Sequence, residues 1–247
     1  MSALVQDDFA GEYERSNHEL AQFAYVASHD LATPLRAVAG YAQLLADRHR
    51  GSLDPEAGRW LDFVLDGCAR MQSLIDDLLS YARVGGSDIS FAEVGSGALV
   101  ARVLDDFEHR LSECGGAVHV DPLPAVWGDH VQLRQLFQNL VSNALKFHRP
   151  DVEPRVTISA RQVRGRCEFT VADNGIGVDA RHRERIFGMF QRLHSSDEFP
   201  GSGIGLSVCR EIVERHGGTI WLDERPGPGV TFVFNLPLAW SQPQDPQ

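Results

Sequence analysis

The 247-residue sequence contains no run of about 20 apolar residues, the length that a helix needs to cross a bilayer. Its first residues are acidic rather than basic, and no apolar segment follows them, so no secretory signal is predicted. We therefore expect a cytoplasmic chain that makes no membrane contact of its own.

Cysteine and positive charge are also scarce. The four cysteines lie far apart and form no C-x-x-C pair, which predicts reduced thiols in a cytosolic protein. The net charge of −11 argues against nucleic acid as the main partner, because contacts with a phosphate backbone require a basic surface. The chain also lacks the G-x-x-x-x-G-K-[ST] pattern, which excludes a P-loop.

Two helical patterns occupy the first third of the chain. Apolar residues from about Glu12 to Arg48 recur at intervals of three and four, as on one face of a helix. Gly51 interrupts this pattern, and Asp54 followed by Pro55 has the form of a helix N-cap and first helical residue. A turn between two long helices is therefore predicted.

The second apolar stripe runs from Trp60 to Ala82 and stops at Gly85-Gly86. A lone hairpin of two helices leaves part of each stripe uncovered. We therefore expect residues 12–86 to dimerise, which gives a four-helix bundle in a homodimer.

The pattern changes after the glycine pair to short, mixed elements, which predicts an α+β fold: a helical hairpin followed by an α/β sandwich over residues 87–238. Residues 239–247 are polar and turn-prone and are expected to form a flexible tail. The predicted strands are Ile89–Val94, Ala117–Asp121, Pro124–Val126, Arg155–Gln162, Cys167–Asp173, Thr219–Asp223 and Val230–Leu236. The predicted helices are Ala98–Cys114, Val131–His148, Arg181–Phe187 and Ile204–His216.

A histidine interrupts the apolar pattern of the first helix. His29 lies two residues from Ala27 and two from Leu31, which places it opposite the stripe and facing solvent. Asp30 is suited to accept a proton from its imidazole, and Thr33 projects from the same face one turn later. Taken alone, the pattern also fits an ordinary exposed histidine.

The helix predicted around residue 140 carries polar side chains in one row. Asn139, Asn143 and Lys146 fall at i, i+4 and i+7, beside apolar core positions. Amide oxygens ligate Mg²⁺, and an ammonium group meets phosphate oxygens, so the row is suited to a metal-bound phosphate. An exposed polar stripe is the alternative.

A carboxylate ends the strand predicted over Cys167–Asp173. The alternation of that strand places Asp173 on its inward side, where it can accept a hydrogen bond from an exocyclic amine such as that of adenine. Gly175 and Gly177 then allow a sharp turn close to a ligand. A simple Asp-Asn-Gly turn is the alternative.

Three further glycines lead directly into a helix. The amides of Gly201, Gly203 and Gly205, with the helix N-terminus, form a site suited to phosphates. Arg192 is a candidate for a second phosphate contact. The polar segment from His194 to Pro200 has the character of a lid.

Taken in this order, the four motifs resemble those of sensor histidine kinases, over about Leu20 to Pro237. Ser28–Arg36 resembles the H box of that family and Asn139–Phe147 its N box. Asp173–Gly177 resembles its G1 box, Ile186–Leu193 its F box and Gly201–Leu206 its G2 box. The Phe-Gln-Arg-Leu-His wording at 190–194 and the His-Asp pair are most similar to phytochrome-type kinases.

The resemblance implies a phosphoacceptor hairpin and a Bergerat-type ATP-binding domain that uses ATP and Mg²⁺. His29 would accept the phosphoryl group, with Asp30 as its base, and Thr33 matches the position that assists dephosphorylation of a response regulator. Asn143 matches the Mg²⁺ ligand, and Asp173 the adenine contact. Asn139 and Lys146 match their phosphate-side neighbours.

The implied partners are a response regulator receiver domain and an upstream sensor, since no sensor is recognisable in the chain. Two alternatives remain at this point. One is another ATPase with the same nucleotide fold, as in gyrase-like, chaperone or mismatch-repair proteins. The other is a pseudokinase that acts as a phosphotransfer relay or dimerisation scaffold.

Overall fold

The computed structural model of the chain describes residues 30–86, 89–194, 198–199, 201–223 and 227–239. These residues fall into two compact units. The first is the helical hairpin together with the short segment 201–204, and the second contains the remaining described residues. No helix within the described ranges is long and apolar enough to span a membrane.

The hairpin consists of helix α1, which is described over residues 30–49, a short 3-10 turn at Arg50–Ser52, and helix α2 at Pro55–Gly86. The predicted cap is confirmed, because Asp54 Oδ1 accepts hydrogen bonds from Glu56 N at 3.0 Å and Ala57 N at 2.7 Å. The helical assignment of α1 continues through Pro34. Leu20, Ala24 and Ala27 of the predicted stripe lie outside the described residues.

The apolar stripe of α1 is divided between two faces. Leu35 and Ala42 are buried, together with Ala32, which packs with Leu35 in a cluster that includes Cys68 and Ile75 of α2. Three leucine and valine side chains from the same predicted stripe are more than half exposed: Leu31, Val38 and Leu45. The sequence had predicted one continuous stripe, but the second helix covers only part of it.

The second unit contains two sheets. Strands β1 (Ala92–Gly95) and β3 (Ala125–Gly128) form an antiparallel pair. The strands of the larger sheet are β2 at Ala117–Val120, β4 at Arg155–Val163, β5 at Arg166–Asp173, β6 at Ile220–Leu222 and β7 at Thr231–Pro237. Their order is β2-β4-β5-β7-β6; the β2–β4 pair is parallel and the other described pairs are antiparallel.

Helices cover the large sheet. Helix α5 (His130–Lys146) packs on β4 and β5, and α6 (Gly205–Arg215) packs on β6 and β7. Helix α3 (Ser96–Asp105) packs against α5. The predicted α+β sandwich is therefore confirmed, with most element ends within three residues of their predicted places.

Two predicted helices are wrong in detail. The single helix expected over Ala98–Cys114 is interrupted near Phe107, giving α3 and a short α4 at Glu108–Cys114. Arg134 and Gln138 of α5 both donate to the Asp106 carboxylate, at 2.8 Å and 2.9 Å, which fixes the chain at this break. The helix expected over Arg181–Phe187 consists instead of two 3-10 turns, Ala180–His182 and Arg185–Phe187.

The core between sheet and helices centres on three phenylalanines. Phe137 of α5 lies edge-on to Phe169 of β5 and Phe234 of β7, with ring centroids 5.7 Å apart in each pair. Phe169 and Phe234 are register partners and their rings stack at 5.1 Å. All three are essentially inaccessible to solvent, so α5 has a fixed place on the sheet.

Candidate functional site

The row of polar side chains on α5 is positioned by the cap of the helix and by the buried residues beside it. Asp129 caps the N-terminus, where its Oδ1 accepts from Val131 N at 2.9 Å and Gln132 N at 3.0 Å. The neighbouring positions Leu136, Leu140 and Ala144 are buried. Asn139, Asn143 and Lys146 consequently lie half-buried along one edge of the helix, as the spacing predicted.

Asn139 is bonded to the start of α6. Its Nδ2 donates to Gly205 O at 3.2 Å, and a Cβ at Gly205 would lie 3.8 Å from the Asn139 amide. Asn139, the first residue of the polar row on α5, therefore lies beside Gly205, the last of the three glycines that the sequence predicts to bind phosphate. Cys209, one turn further along α6, is buried, and burial raises the pKa of its thiol to about 12, so it stays protonated.

Asp173 lies at the end of β5 on the side occupied by Cys167, Phe169 and Val171, as the alternation predicted. Its Oδ1 accepts from Gly175 N at 2.8 Å and from Val230 N at 3.0 Å. Both of these backbone donors bond to Oδ1 rather than to Oδ2. Burial raises the pKa of Asp173, and the two backbone N–H groups oppose this rise.

The two glycines after Asp173 lie in a sharp turn, as the sequence predicted. A Cβ at Gly175 would lie 2.3 Å from Phe147 O, so this position is tight against the protein's own backbone rather than only near a ligand. Gly177 has a φ of +81°, a conformation that disfavours any residue with a side chain. Both glycines are thus required by the turn itself.

The remaining predicted glycines lie in the segment that joins the lid to α6. Gly201 and Gly203 have φ angles of 149° and 79°. Ser202, which lies between them, accepts a hydrogen bond at its Oγ from Ile204 N at 3.1 Å. These residues group with the hairpin unit, whereas Gly205 begins α6. Left-handed φ at Gly203 requires glycine there.

Arg192 is exposed and its Nη2 donates to Phe199 O at 3.1 Å. Phe199 in turn lies 5.0 Å from the Phe147 ring and 5.2 Å from the His194 ring. Lys146 Nζ lies 4.5 Å from the centre of the Phe147 ring. The described part of the predicted lid therefore packs at the C-terminal end of α5, while residues 195–197 and 200 lie outside the described residues.

The phosphoacceptor motif is only partly described. His29 lies outside the described residues, so its predicted orientation has no structural counterpart here. Asp30 and Thr33 are both exposed on α1, on either side of the buried Ala32. Arg36 Nε donates to Ala32 O at 3.3 Å, one turn after this motif.

Sequence reasoning missed the residues just before the neighbouring strand β7 that orient Asp173. Val230 supplies one of its two N–H donors, and Asp173 N donates back to Val230 O at 2.8 Å. Gly229 has a φ of +86°, and a Cβ there would lie 2.0 Å from Asp173 O. The Gly-Pro-Gly sequence at 227–229 signals a turn, but it does not reveal which strand end that turn meets.

Comparison with known families agrees with this arrangement. The His Kinase A (phospho-acceptor) domain matches residues 19–87. The family described as "Histidine kinase-, DNA gyrase B-, and HSP90-like ATPase" matches residues 128–239. A phosphoacceptor domain directly before such an ATPase domain separates kinases from the gyrase-like and chaperone proteins. The chain belongs to the histidine kinases.

Similar histidine kinase sequences include two cyanobacterial phytochromes. Cyanobacterial phytochrome A of Nostoc sp. is 44% identical over 230 residues, covering 93% of this chain and 30% of that protein. Phytochrome-like protein Cph1 of Synechocystis sp. is 44% identical over 232 residues, covering 93% and 31%. The predicted likeness to phytochrome-type kinases is confirmed, and this kinase chain spans less than a third of the length of these relatives.

Solved kinase structures share the fold. Full-length ShkA, in complex with AMPPNP, is 30% identical with a TM-score of 0.67, covering 87% of this chain and 45% of ShkA. The catalytic domain of histidine kinase ThkA, in a nucleotide-free form, is 26% identical with a TM-score of 0.52 and covers 60% of this chain and 97% of that domain. The predicted Bergerat-type ATPase fold is thus confirmed for the second unit.

Proposed function

We propose that the chain is the catalytic portion of an ATP-dependent autokinase that phosphorylates its own His29 and passes the phosphoryl group to an aspartate of a response regulator receiver domain. The observation that carries this proposal is the half-buried row of Asn139, Asn143 and Lys146, which begins beside Gly205. A polar row on α5 that adjoins the N-terminus of α6 is suited to a triphosphate.

ATP would be held from two sides in this proposal. Asp173 Oδ2 accepts a hydrogen bond from the adenine amine, because its other oxygen already has two backbone donors. Lys146, Arg192 and the amides of Gly201, Gly203 and Gly205 contact the phosphates in this proposal. Gly175 and Gly177 form the turn beside the base, where Gly175 N donates to Asp173.

The residues present also fit Mg²⁺. In nucleotide sites Mg²⁺ is held by one or two protein oxygens together with the phosphates, so the single amide oxygen of Asn143 meets its need. No group of three or more His, Cys, Asp or Glu side chains within the described residues forms a separate metal site. Bound Mg²⁺ would neutralise charge on the phosphates while Asn143 fixes its position.

The hairpin would supply the acceptor. As one His29 nitrogen forms a bond to the γ-phosphorus, the bond from that phosphorus to the bridging oxygen breaks and ADP leaves. Asp30 accepts the proton of the other ring nitrogen, which removes the positive charge that develops on the imidazole. Thr33, exposed on the same helix, would orient a water for dephosphorylation of the receiver domain. Asp30 and Thr33 lie outside the nucleotide-binding domain, so their roles are separable from ATP affinity.

The assembly in this proposal is a cytoplasmic homodimer, formed through residues 12–86, which is controlled by an upstream sensor. Residues 87–238 form the ATP-binding domain, and 239–247 form a tail. The exposed apolar side chains of α1 and α2 support dimerisation, because a partner hairpin would cover them.

Incubation with γ-labelled ATP and Mg²⁺ tests the proposal. We expect acid-labile, alkali-stable label on the wild-type chain and none on His29→Ala. Asn143→Asp should abolish labelling while the fold is retained, and Asp173→Asn should weaken ATP binding. Absence of label on a folded, ATP-binding wild-type dimer would favour the relay or scaffold alternative instead.

A further inference from the structure

Asn174 follows the adenine-side carboxylate, yet its side chain points at the protein backbone. Its Oδ1 accepts from Arg155 N at 2.9 Å, and its Nδ2 donates to Glu153 O at 3.0 Å. One amide side chain therefore fastens the turn after β5 to the loop that leads into β4. Both bonds are accessible to solvent, so they are not needed to satisfy buried groups.

Two more hydrogen bonds join the same loop and turn. Arg149 Nε donates to Asn174 O at 2.9 Å, and Ile176 N donates to Phe147 O at 2.9 Å. Phe147 is the first residue after α5 and follows Lys146, the last residue of the polar row. The four hydrogen bonds therefore attach the turn to the chain directly after that row. The loop has no regular secondary structure between Phe147 and Arg155, and these four bonds define its path against the turn.

These four hydrogen bonds connect the phosphate side of the proposed nucleotide site with its adenine side. Helix α5 carries Asn143 and Lys146, whereas Asp173 lies at the end of a strand and meets the base. A bound nucleotide has a fixed span between its amine and its phosphates. The Asp173 carboxylate meets the amine only if the turn that carries it keeps its place relative to the end of α5.

We infer that Asn174 and Arg149 are positioning residues for adenine recognition, which hold the Asp173 turn against the end of α5 so that Oδ2 is aligned with the exocyclic amine. The inference deepens the proposed function and rests on its assignment of Asp173 to the base. Neither residue contacts the nucleotide in this scheme. Their effect should appear in recognition of the amine and not in phosphoryl transfer.

The test compares ATP with purine riboside triphosphate, which lacks the exocyclic amine, by calorimetric titration. The wild-type chain should bind ATP about tenfold or more tightly than the analogue, since a site that hydrogen-bonds a group rejects ligands without it. Asn174→Ala should lose about tenfold in ATP affinity but less than about twofold for the analogue. Its labelling rate at saturating ATP should stay within about twofold of wild type.

Asn235→Ala is the control, because the Asn235 side chain also accepts a hydrogen bond, from Arg166 Nε at 2.8 Å, but lies on β7 away from the turn. It should keep the wild-type ratio of the two affinities. Equal weakening of both nucleotides by Asn174→Ala, or no weakening of either, overturns the inference. A wild-type chain that binds both nucleotides equally overturns the assignment of Asp173 instead.

A second variant keeps the test valid if Asn174→Ala fails to fold. Arg149→Ala removes a single bond to the same turn and should lower the ratio of ATP to analogue affinity in the same direction. Arg149→Lys retains a donor long enough to reach Asn174 O and should restore part of that ratio. An unchanged ratio in a folded Arg149→Ala variant contradicts the inference.

Discussion

The hairpin and the sandwich use apolar residues differently. Of the fifteen large hydrophobic side chains that are exposed within the described residues, ten lie on α1 and α2. In the sandwich, by contrast, most of the largest fully buried side chains lie on α5 and on the strands of the large sheet. The sandwich therefore buries its largest apolar side chains internally, whereas the exposed apolar side chains of the hairpin support the proposed dimer.

A substitution in the hairpin should reduce the rate of autophosphorylation without changing the nucleotide site. Asp30→Asn should slow autophosphorylation by about 10²–10⁴-fold, because an amide is a poor acceptor for the imidazole proton. ATP affinity should hardly change. Rates of labelling and ATP titrations measure the two effects, and Asp47→Asn on the exposed side of α1 is the control. A rate within a few-fold of wild type would remove Asp30 from the mechanism.

The sandwich core should break independently of the hairpin. Phe137→Ala removes a ring that contacts both Phe169 and Phe234 and should cost about 3–5 kcal/mol of unfolding free energy. Val131→Ala, on the same helix but 74% exposed, should change stability by less than about 0.5 kcal/mol. Denaturant titration measures both. Dimer mass should be retained, and a Phe137→Ala chain that becomes monomeric would contradict the separation of the two regions.

The exposed stripe of α1 should control association. Val38→Asp places a charge on the stripe and should raise the dimer dissociation constant by about ten- to a hundredfold, because the charge loses its hydration in the bundle. Gln43→Asp places the same group on the polar side of α1 and should leave the mass unchanged. Light scattering across micromolar concentrations measures the masses, and a wild-type monomer would refute the homodimer.

The smallest expected effect concerns His216, which is buried beside the N-terminus of α5. Its Nε2 accepts from Asp129 N at 2.9 Å, its Nδ1 donates to Ile212 O at 2.7 Å, and burial lowers its pKa below the ordinary value of 6.5. The unfolded chain takes up a proton near pH 6.5 while the folded chain resists it. Stability from neutral His216 is therefore present above this pH and is lost as the pH falls below it.

Unfolding midpoints measured between pH 7.5 and 5 should show this loss in the wild-type chain and a flatter profile in His216→Gln. The nearby Asp129 carboxylate has a lowered pKa: burial would raise it, but backbone N–H groups of Gln132, Ser90 and Val131 outweigh burial. Asp129 therefore does not titrate in this window. Identical slopes for the two proteins would show that His216 is not the titrating group.

Local chemistry made much of the fold predictable. The Asp54-Pro55 cap and the alternation that points Asp173 inward each depend on a few adjacent residues. So does the short connection between the strands predicted at Arg155–Gln162 and Cys167–Asp173. Arg164 and Gly165 have φ angles of 50° and 79°, as a two-residue turn between β4 and β5 requires. The site row on α5 was predictable for the same reason, since helical spacing alone defines it.

What the sequence did not reveal depends on partners far along the chain. Val230 is 57 residues from Asp173, and its contribution is a backbone N–H that any residue type could supply. The break at Phe107 carries no glycine or proline, and the Asp106 carboxylate there is bonded by side chains from α5. The division of the α1 stripe likewise depends on how α2 packs against it.

The strand order of the large sheet has a consequence for the kinetics of folding. β4 and β5 are adjacent in sequence and close through a two-residue turn, so their pairing costs little loop entropy. β2, by contrast, pairs in parallel with β4 only after α5 has crossed between them. Parallel pairing across a long connection is slow. The β4–β5 hairpin with α5 is therefore expected to nucleate the domain, and the β2 edge to join last.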